Sequence, residues 1–402
     1  MEKIMAINAG SSSLKFKLYE MPEEIVICSG IAERIGHDDA YFRLNFNGNQ
    51  SKEVLPIKDH AEAVKLLLAA LIKENIISSF EEIKATGHRV VQGGKYFSRS
   101  VEFDQDTENK VESLISLAPL HNGAHLIGFR AFKEALPGVL AVATFDTAFH
   151  RTMEDQDSVF PIPYEYTIKH DIRRYGAHGT SHQFLSEEAL KHLSGVEHPR
   201  VISCHIGSGA SITAIKDGKC VATSMGLTPL GGIMMGTRTG DLDPSVMKYC
   251  CYKENKNAEE MFQIFNKESG LLGVSGVSND SRDVLKAASN GDQRAILAYQ
   301  LFIRRIADFI GQYFVRLGGA DAIVFSAGIG ENSGKTRKMV INEIKDALKI
   351  VINDELNDAT RGKEAVISTP ESAIKIIVIP TDEEIMIVRD TYKILLNKRE
   401  TK

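Results

Sequence analysis

Two segments of this chain, IMAINAGSSSLKF from Ile4 and VISCHIGSGASIT from Val201, share one plan. Each has a β-prone run, a turn rich in glycine and serine, and a second β-prone run. Placing Gly10 over Gly207 sets the copies 197 residues apart, close to half of the 402-residue chain. A repeat of that period predicts two halves of one α/β design, each presenting a small-residue hairpin turn, with ligand held between the copies. The length independently favours two domains over one.

Along the chain, short β-type runs alternate with helical ones, which predicts an α/β architecture. Residues 59–76 open with a plausible Asp59 cap and place Ala61, Val64, Leu67, Leu68, Leu71 and Ile72 on one helical face. A longer helix is expected over 292–317, with Ile296, Tyr299, Ile303, Ile306, Ile310 and Phe314 on its buried stripe and Gly318–Gly319 as its stop. Residues 322–332 read as an apolar strand running into a glycine turn, and 382–400 as a helix. An apolar fraction of 43% is enough for a substantial core. The net charge of −5 is spread without a long block of one sign, so neither nucleic acid nor an anionic membrane is expected as a partner. Five cysteines without C-x-x-C spacing argue against a disulfide framework or a zinc site and for a reducing cytoplasm. The N-terminus reads as neither leader nor anchor, and no apolar run reaches membrane-spanning length.

The chemistry sits in the loops. Glycine lets a phosphate approach the backbone, and serine adds a hydroxyl donor. Three such turns follow β-rich runs: 8–13, 205–209 and 328–332. None has P-loop or dinucleotide-fingerprint spacing, and any one alone could be a plain tight hairpin; three together point to a nucleotide cleft. Arg89 in GHRVVQGG and Arg238 in GGIMMGTRTGDLDP stand among glycines, which suits a planar anion such as carboxylate or phosphate, with a surface salt bridge as the plainer alternative. Asp146 interrupts the β-prone run ATFDTAFH and reads either as a strand-end cap or as a group that holds Mg²⁺ or orients an arginine. His121 and Asn122 fall in a turn, and the acids of VIPTDEE read either as a helix start or as a metal ligand. RRYGAHGTSH, residues 173–182, is too polar and too flexible for a core strand or an ordinary helix. No nucleophile elbow and no H-E-x-x-H motif is present. Phosphate loops, anion-gripping arginines, histidines and dispersed acids fit phosphoryl transfer, where catalysis is mostly positioning and charge neutralisation.

INAGSSSLKF, GHRVVQGG, PLHNG, FDTAFH, RRYGAHGTSH, HIGSGASI, MGTRTGDLDP, SAGIGENS and IPTDEE, in this order from residue 4 to residue 384, resemble the successive motifs of the acetokinase family of short-chain carboxylate kinases. The resemblance implies a duplicated actin-like, sugar-kinase-like (ribonuclease H-like) α/β fold, two lobes with the active site in the cleft between them. The lobes would be 1–147 with 384–402 on the carboxylate side and 148–383 on the nucleotide side. It implies reversible, Mg²⁺-dependent phosphoryl transfer between ATP and acetate, with Mn²⁺ as a substitute metal, in a cytoplasmic homodimer. Asn8 and Glu383 would hold the metal, and Lys15 would sit near the phosphates. His205, Ile206, Gly207, Ser208 and Gly209, with Asp280, Ser281, Arg282 and Gly328, Ile329, Gly330, Glu331 and Asn332, would form the nucleotide site. Arg89 and Arg238 would grip the carboxylate and the transferring group, and His178 would donate to its equatorial oxygens. Asp146 holds the family's usual acid–base position. A carboxylic acid of pKa about 4 is already ionised at neutral pH, so the better role for Asp146 is to orient an arginine or the metal shell.

Val91, Leu120, Ala177 and Pro229 stand where the family builds an apolar wall around the substrate methyl group. Ala177 departs from the family's usual phenylalanine and predicts a wider pocket, which makes a propionate or longer-chain kinase the nearest rival reading. Gln92, Gly123 and Ser208 are further departures. Arg173 and Arg174 read as residues that serve structure or the domain interface, and His182 as a helix-start or supporting residue. A more distant rival is a non-enzymatic actin-like ATPase, which has no use for Arg89, His178 and Arg238 around a small pocket.

Overall fold

A computed structural model describes residues 1–119 and 121–400. It divides into two compact units, Met1–Phe149 with Asp382–Lys402, and His150–Thr381.

In the first unit, strands β1 (Glu2–Gly10) and β2 (Ser13–Met21) form the hairpin foreseen from the sequence, closed at the Gly10↔Ser13 pair. Strands β3 (Ile25–Glu33), β4 (Tyr41–Phe46) and β5 (Asn49–Val54) continue it antiparallel. On the other side of β1 lie β6 (Ile83–Val90), parallel to it, then β8 (Leu140–Phe145), parallel again, and the short edge strand β7 (Val101–Glu102). Ile4, Met5, Ala6 and Ile7 are all buried, as a central strand covered on both faces requires. Ala6 and Gly87 point to one face, where the helix Glu383–Glu400 comes so close that a Cβ on Gly87 would lie 2.5 Å from Ile387. Ile7, His88 and Ala9 point to the other, where the helix Asn122–Ala135 packs Phe129 and Phe132 edge-on to the His88 ring.

In the second unit, β9 (Arg200–Ile206) and β10 (Ala210–Lys216) form the second hairpin, followed by β11 (Lys219–Thr223). β12 (Ala322–Ser326) and β14 (Lys375–Val378) add parallel to β9, and the short β13 (Ala365–Val366) closes the edge antiparallel. The order β11-β10-β9-β12-β14-β13 repeats, strand for strand and direction for direction, the order β3-β2-β1-β6-β8-β7. The sequence echo is thus the visible part of a duplicated six-stranded design, to which the first unit adds β4 and β5.

The helix expectations hold with local changes. The helix His60–Lys73 is capped by Asp59, whose side chain accepts from the Glu62 amide, but Ile72 is 37% exposed while Ala63 is buried, so the apolar face is turned by one position. Gln293–Leu317 ends at Gly318 in the left-handed conformation, with Ala298, Phe302 and Tyr313 buried in place of Ile296 and Phe314. The glycine turn after β12 is a short helix, Ala327–Asn332. Asn122 opens a helix rather than sitting in a turn.

Candidate active site

The parallel pairing of β6 and β8, with Arg89 opposite Thr144, brings the Arg89 side chain to the residue that follows β8. Asp146 is fully buried there and takes both arms of the guanidinium, Nε to Oδ1 at 2.9 Å and Nη2 to Oδ2 at 2.7 Å. Its own amide donates to the Val90 carbonyl at 2.9 Å, which pins the pair to the strand ends. Glu383 stands 3.8 Å from the same guanidinium. Burial alone would lower the Arg89 pKa; the charges of Asp146 and Glu383 outweigh it and raise it.

The three acids at 382–384 divide their work. Asp382 accepts from the Ile385 amide at 3.1 Å and so starts the last helix; it also pairs with Lys17 at 3.2 Å. Glu384 takes the same lysine at 3.2 Å. Glu383 is the one turned toward Arg89, and the helix-start reading of this segment is realised by Asp382. Asn8 on β1 pairs in register with Lys15, and neither side chain makes a hydrogen bond or ion pair among the described residues. Behind Arg89, Asn122 clamps the backbone of Gln92, accepting from its amide at 3.1 Å and donating to its carbonyl at 3.0 Å. That fixes the loop carrying Val91, which is 5% exposed. Leu120 lies outside the described residues.

In the second unit, Gly207 sits between the two phosphate-type loops. A Cβ there would lie 3.7 Å from the Ala327 methyl and 4.0 Å from the Gly328 amide nitrogen. A Cβ on Gly209 would lie 3.5 Å from His178 Nε2 and 3.6 Å from Arg238 Nη1. The loop of Arg238 reaches the 205–209 turn through the Gly236 amide, which donates to the Ser208 carbonyl at 3.2 Å, and Gly236 also abuts Asn279. The structure therefore gathers 207–209, 236–238, 279–280, 327–328 and His178 in one place. Within that set Asp280 caps the helix Ser281–Ser289 and binds Arg282, whose side chain is 88% exposed. Glu331 holds the Thr381 amide at 3.0 Å, so it braces the loop from within.

Arg238 is half-buried and donates to the Pro229 carbonyl at 3.2 Å, with the Met235 sulfur at 3.8 Å; among the described residues it has no carboxylate partner. Burial lowers its pKa. Pro229 thus contributes a carbonyl anchor. His178 occupies the cap position of the helix Gly179–Lys191 with φ +57, and its ring stacks on His205 with centroids 4.2 Å apart. The bend that aims it is made by Gly176 at φ +72 and by His178 itself, since Gly179 is already helical. Ala177 is 2% exposed, within the apolar core of this unit. Its carbonyl takes a hydrogen bond from His150 Nε2 at 3.0 Å. Arg174 donates to the carbonyls of Thr223, Ser224 and Met225, and Arg173 to the Ser158 hydroxyl, which are structural roles.

Residues 3–389 match the family model described as the Acetokinase family. The chain belongs to the acetokinase family. Among curated acetokinases, it is 52% identical over 395 residues to the acetate kinase of Anoxybacillus flavithermus, covering 98% of this chain and 99% of that protein. It is 49% identical to the acetate kinase of Bacillus subtilis, over 98% of this chain and all of that one. The acetate kinase structure from Porphyromonas gingivalis superposes with a TM-score of 0.92 at 44% identity, covering 98% of this chain and 100% of that one. The propionate kinase structure from Francisella tularensis superposes equally well at 40% identity and the same coverage. These neighbours carry the two-sheet duplicated fold over the whole acetokinase chain.

Asn122 and Glu331 act as braces that the sequence did not single out for that work. Their roles are backbone hydrogen bonds made across the fold, for which a linear motif carries no signal. No helix among the described residues is long and apolar enough to cross a membrane.

Proposed function

We propose that this acetokinase transfers the terminal phosphoryl group of ATP to acetate, reversibly, giving ADP and acetyl phosphate by direct in-line displacement. The observation that carries the reading is Arg238: a half-buried guanidinium without a carboxylate partner among the described residues, beside Gly209 and His178. A buried cation left without a counter-charge is costly, and an anionic ligand supplies what the fold omits.

A carboxylate oxygen of acetate attacks the γ-phosphorus, the bond from phosphorus to the ADP oxygen breaks, and no proton has to be removed. Arg89, held by Asp146, presents a fixed cation to the anionic substrate on the side of the first unit. Arg238 neutralises charge on the transferring group, and His178 donates a hydrogen bond to its equatorial oxygens. The loops 207–209 and 328–332, with 280–282 and Lys15, bind the nucleotide. Asn8, through its amide oxygen, and Glu383 would hold Mg²⁺, with Mn²⁺ able to replace it; two oxygen donors suit a hard cation that keeps waters and phosphate oxygens. Such an ion supplies neutralisation of phosphate charge. Among the described residues there is no cluster of three His, Cys, Asp or Glu side chains that would compose an all-protein metal cage. All five cysteines are free thiols, which accords with a cytoplasmic enzyme, and the homodimer is carried over from the resemblance.

A second reading, a propionate kinase, draws on Ala177. Its small side chain is buried in the same apolar core as Met225, Met234 and Met235. An acyl-hydroxamate assay with ATP and Mg²⁺ across formate, acetate, propionate, butyrate and valerate tests both readings. A peak of kcat/KM at acetate is expected; a peak at propionate makes Ala177 the determinant of chain length. Silence across the series rejects carboxylate kinase activity altogether.

A further inference from the structure

The helix Gly179–Lys191 and the hairpin β9–β10 place four side chains in a line. Ser203 Oγ meets His182 Nδ1, His182 Nε2 meets Ser211 Oγ at 2.7 Å, and Ser211 Oγ meets His178 Nδ1 at 2.9 Å. His182, Ser203 and Ser211 are fully buried. His178 and His182 are four residues apart, on one face of the helix start, while Ser203 and Ser211 come from the paired strands. From the sequence His182 is only a helix-start or supporting residue, and the serines carry no role at all.

We propose that Ser203, His182 and Ser211 form a directional hydrogen-bond relay that fixes the tautomer of His178, leaving its Nε2–H to face Gly209 and Arg238. The direction follows from counting protons. Each neutral imidazole has one donor and one acceptor nitrogen, and each hydroxyl has one proton. With the proton of Ser203 given to His182 Nδ1, His182 donates from Nε2 to Ser211, and Ser211 donates to His178 Nδ1. Every buried donor in the line is then used, and His178 carries its hydrogen on Nε2. In the opposite direction Ser203 accepts from His182, and its own hydroxyl proton has no acceptor among the described residues. An orphaned buried donor makes that arrangement the less stable one. Burial, with His150 and His205 nearby, keeps the His182 pKa well below its usual value, so His182 relays as a neutral ring.

The neighbouring histidines support the same side of the helix. His150 donates from Nε2 to the Ala177 carbonyl, which can only accept, so its Nδ1 receives from the Cys220 thiol at 3.2 Å. This holds the backbone immediately before His178. His205 Nδ1 meets the Ser181 hydroxyl at 2.8 Å, and Ser181 continues to Thr381 at 2.8 Å. Ser203, His182 and Ser211 are positioning residues: they act on the reaction through His178. The relay therefore rests on the reading of His178 as a donor to the transferring phosphoryl group.

The test is ¹⁵N NMR of the full-length protein labelled at histidine, with His178→Gln used to assign the His178 signals. The unsubstituted protein is expected to show an unprotonated Nδ1 and a protonated Nε2 at His178. Ser203→Ala removes the proton that sets the direction, so both tautomers of His178 are expected, although Ser203 does not touch His178. Ser211→Ala is expected to do the same. Removing one transition-state donor costs about 10²–10³ in kcat. A half-populated tautomer is thus expected to lower kcat by roughly tenfold or less, with KM for ATP nearly unchanged, while the buried His182 nitrogen left without its hydroxyl lowers the melting temperature modestly. A protonated Nδ1 in the unsubstituted protein overturns the relay, as does an unmoved tautomer in both serine variants. Should either variant fold poorly, the NMR of the other decides. Normal turnover of His178→Gln would instead overturn the reading of His178 as donor, and would leave the tautomer result standing on its own.

Discussion

Arg89 and Asp146 meet through two parallel hydrogen bonds, 2.9 and 2.7 Å long, at the ends of neighbouring parallel strands. Asp146 is fully buried, and both of its oxygens are engaged by one guanidinium. The geometry describes an orienting group. Asp146→Asn removes the counter-charge and leaves Arg89 with Glu383 at 3.8 Å. Breaking a buried pair in this way costs about 3–5 kcal/mol, which urea denaturation will show. Activity is expected to fall about 10²-fold, because Arg89 is no longer aimed.

Arg238 predicts the reverse balance of stability and activity. It has no carboxylate partner among the described residues, and burial disfavours its charge. Arg238→Met is expected to leave the urea midpoint unchanged or raised, while turnover falls by about 10³–10⁵, the range for arginines that neutralise a transferring phosphoryl group. Arg238→Lys should recover only part of the rate, since a point charge does not reproduce a planar fork. Steady-state kinetics and denaturation on the same preparations check both halves.

Arg337 is fully buried and donates five hydrogen bonds, all to neutral oxygens: the carbonyls of Gly330, Glu331, Asn357 and Thr360 and the Asn357 side chain, at 2.6–3.0 Å. Burial brings its pKa down to about 10, so it remains a cation at neutral pH. Two of those carbonyls end the helix Ala327–Asn332, in the loop assigned to the nucleotide. Arg337→Met orphans them, at about 1–3 kcal/mol for each acceptor left dry. KM for ATP is expected to rise severalfold while KM for acetate stays level, a split that initial-rate kinetics resolves.

Stability should also fall in mild acid. His88 and His125 are buried, and burial lowers both pKa values from 6.5 to about 3. The unfolded chain therefore binds more protons than the folded one between those values. Their contribution is complete above pH 6.5 and is lost progressively as the pH falls toward 3, with a slope of about 1.4 kcal/mol per pH unit for each histidine. His125→Asn, which cannot titrate, is expected to flatten the slope of unfolding free energy between pH 6 and 4 by about one proton.

How much of this was legible in the chain depends on how local each feature is. The two hairpins announce themselves because glycine and serine mark where a strand must turn back, and the β1–β2 and β9–β10 pairs follow directly. The placement of β6, β8, β12 and β14 does not, because parallel pairing joins segments whose contact leaves no mark in either one. For that reason Arg89 could be singled out by its neighbouring glycines and Asp146 as a polar interruption of a β-prone run, while their pairing needed the sheet. Helical period located the face of His60–Lys73 but not its edge: Ile72 is apolar and still 37% exposed, since the neighbouring elements decide where the face ends. Ser203 and Ser211 illustrate the limit most clearly. They are ordinary strand residues whose significance arises only when the Gly179–Lys191 helix lays His178 and His182 across them.

The central claim is that phosphoryl transfer here needs a carboxylate. The most direct measurement follows ADP and acyl phosphate together in one reaction of the purified protein with ATP and Mg²⁺, with and without acetate. ADP and acetyl phosphate are expected in equal amounts when acetate is present, and negligible ADP when it is absent. ADP formed at the same rate without any carboxylate would contradict the central claim and identify an ATPase instead.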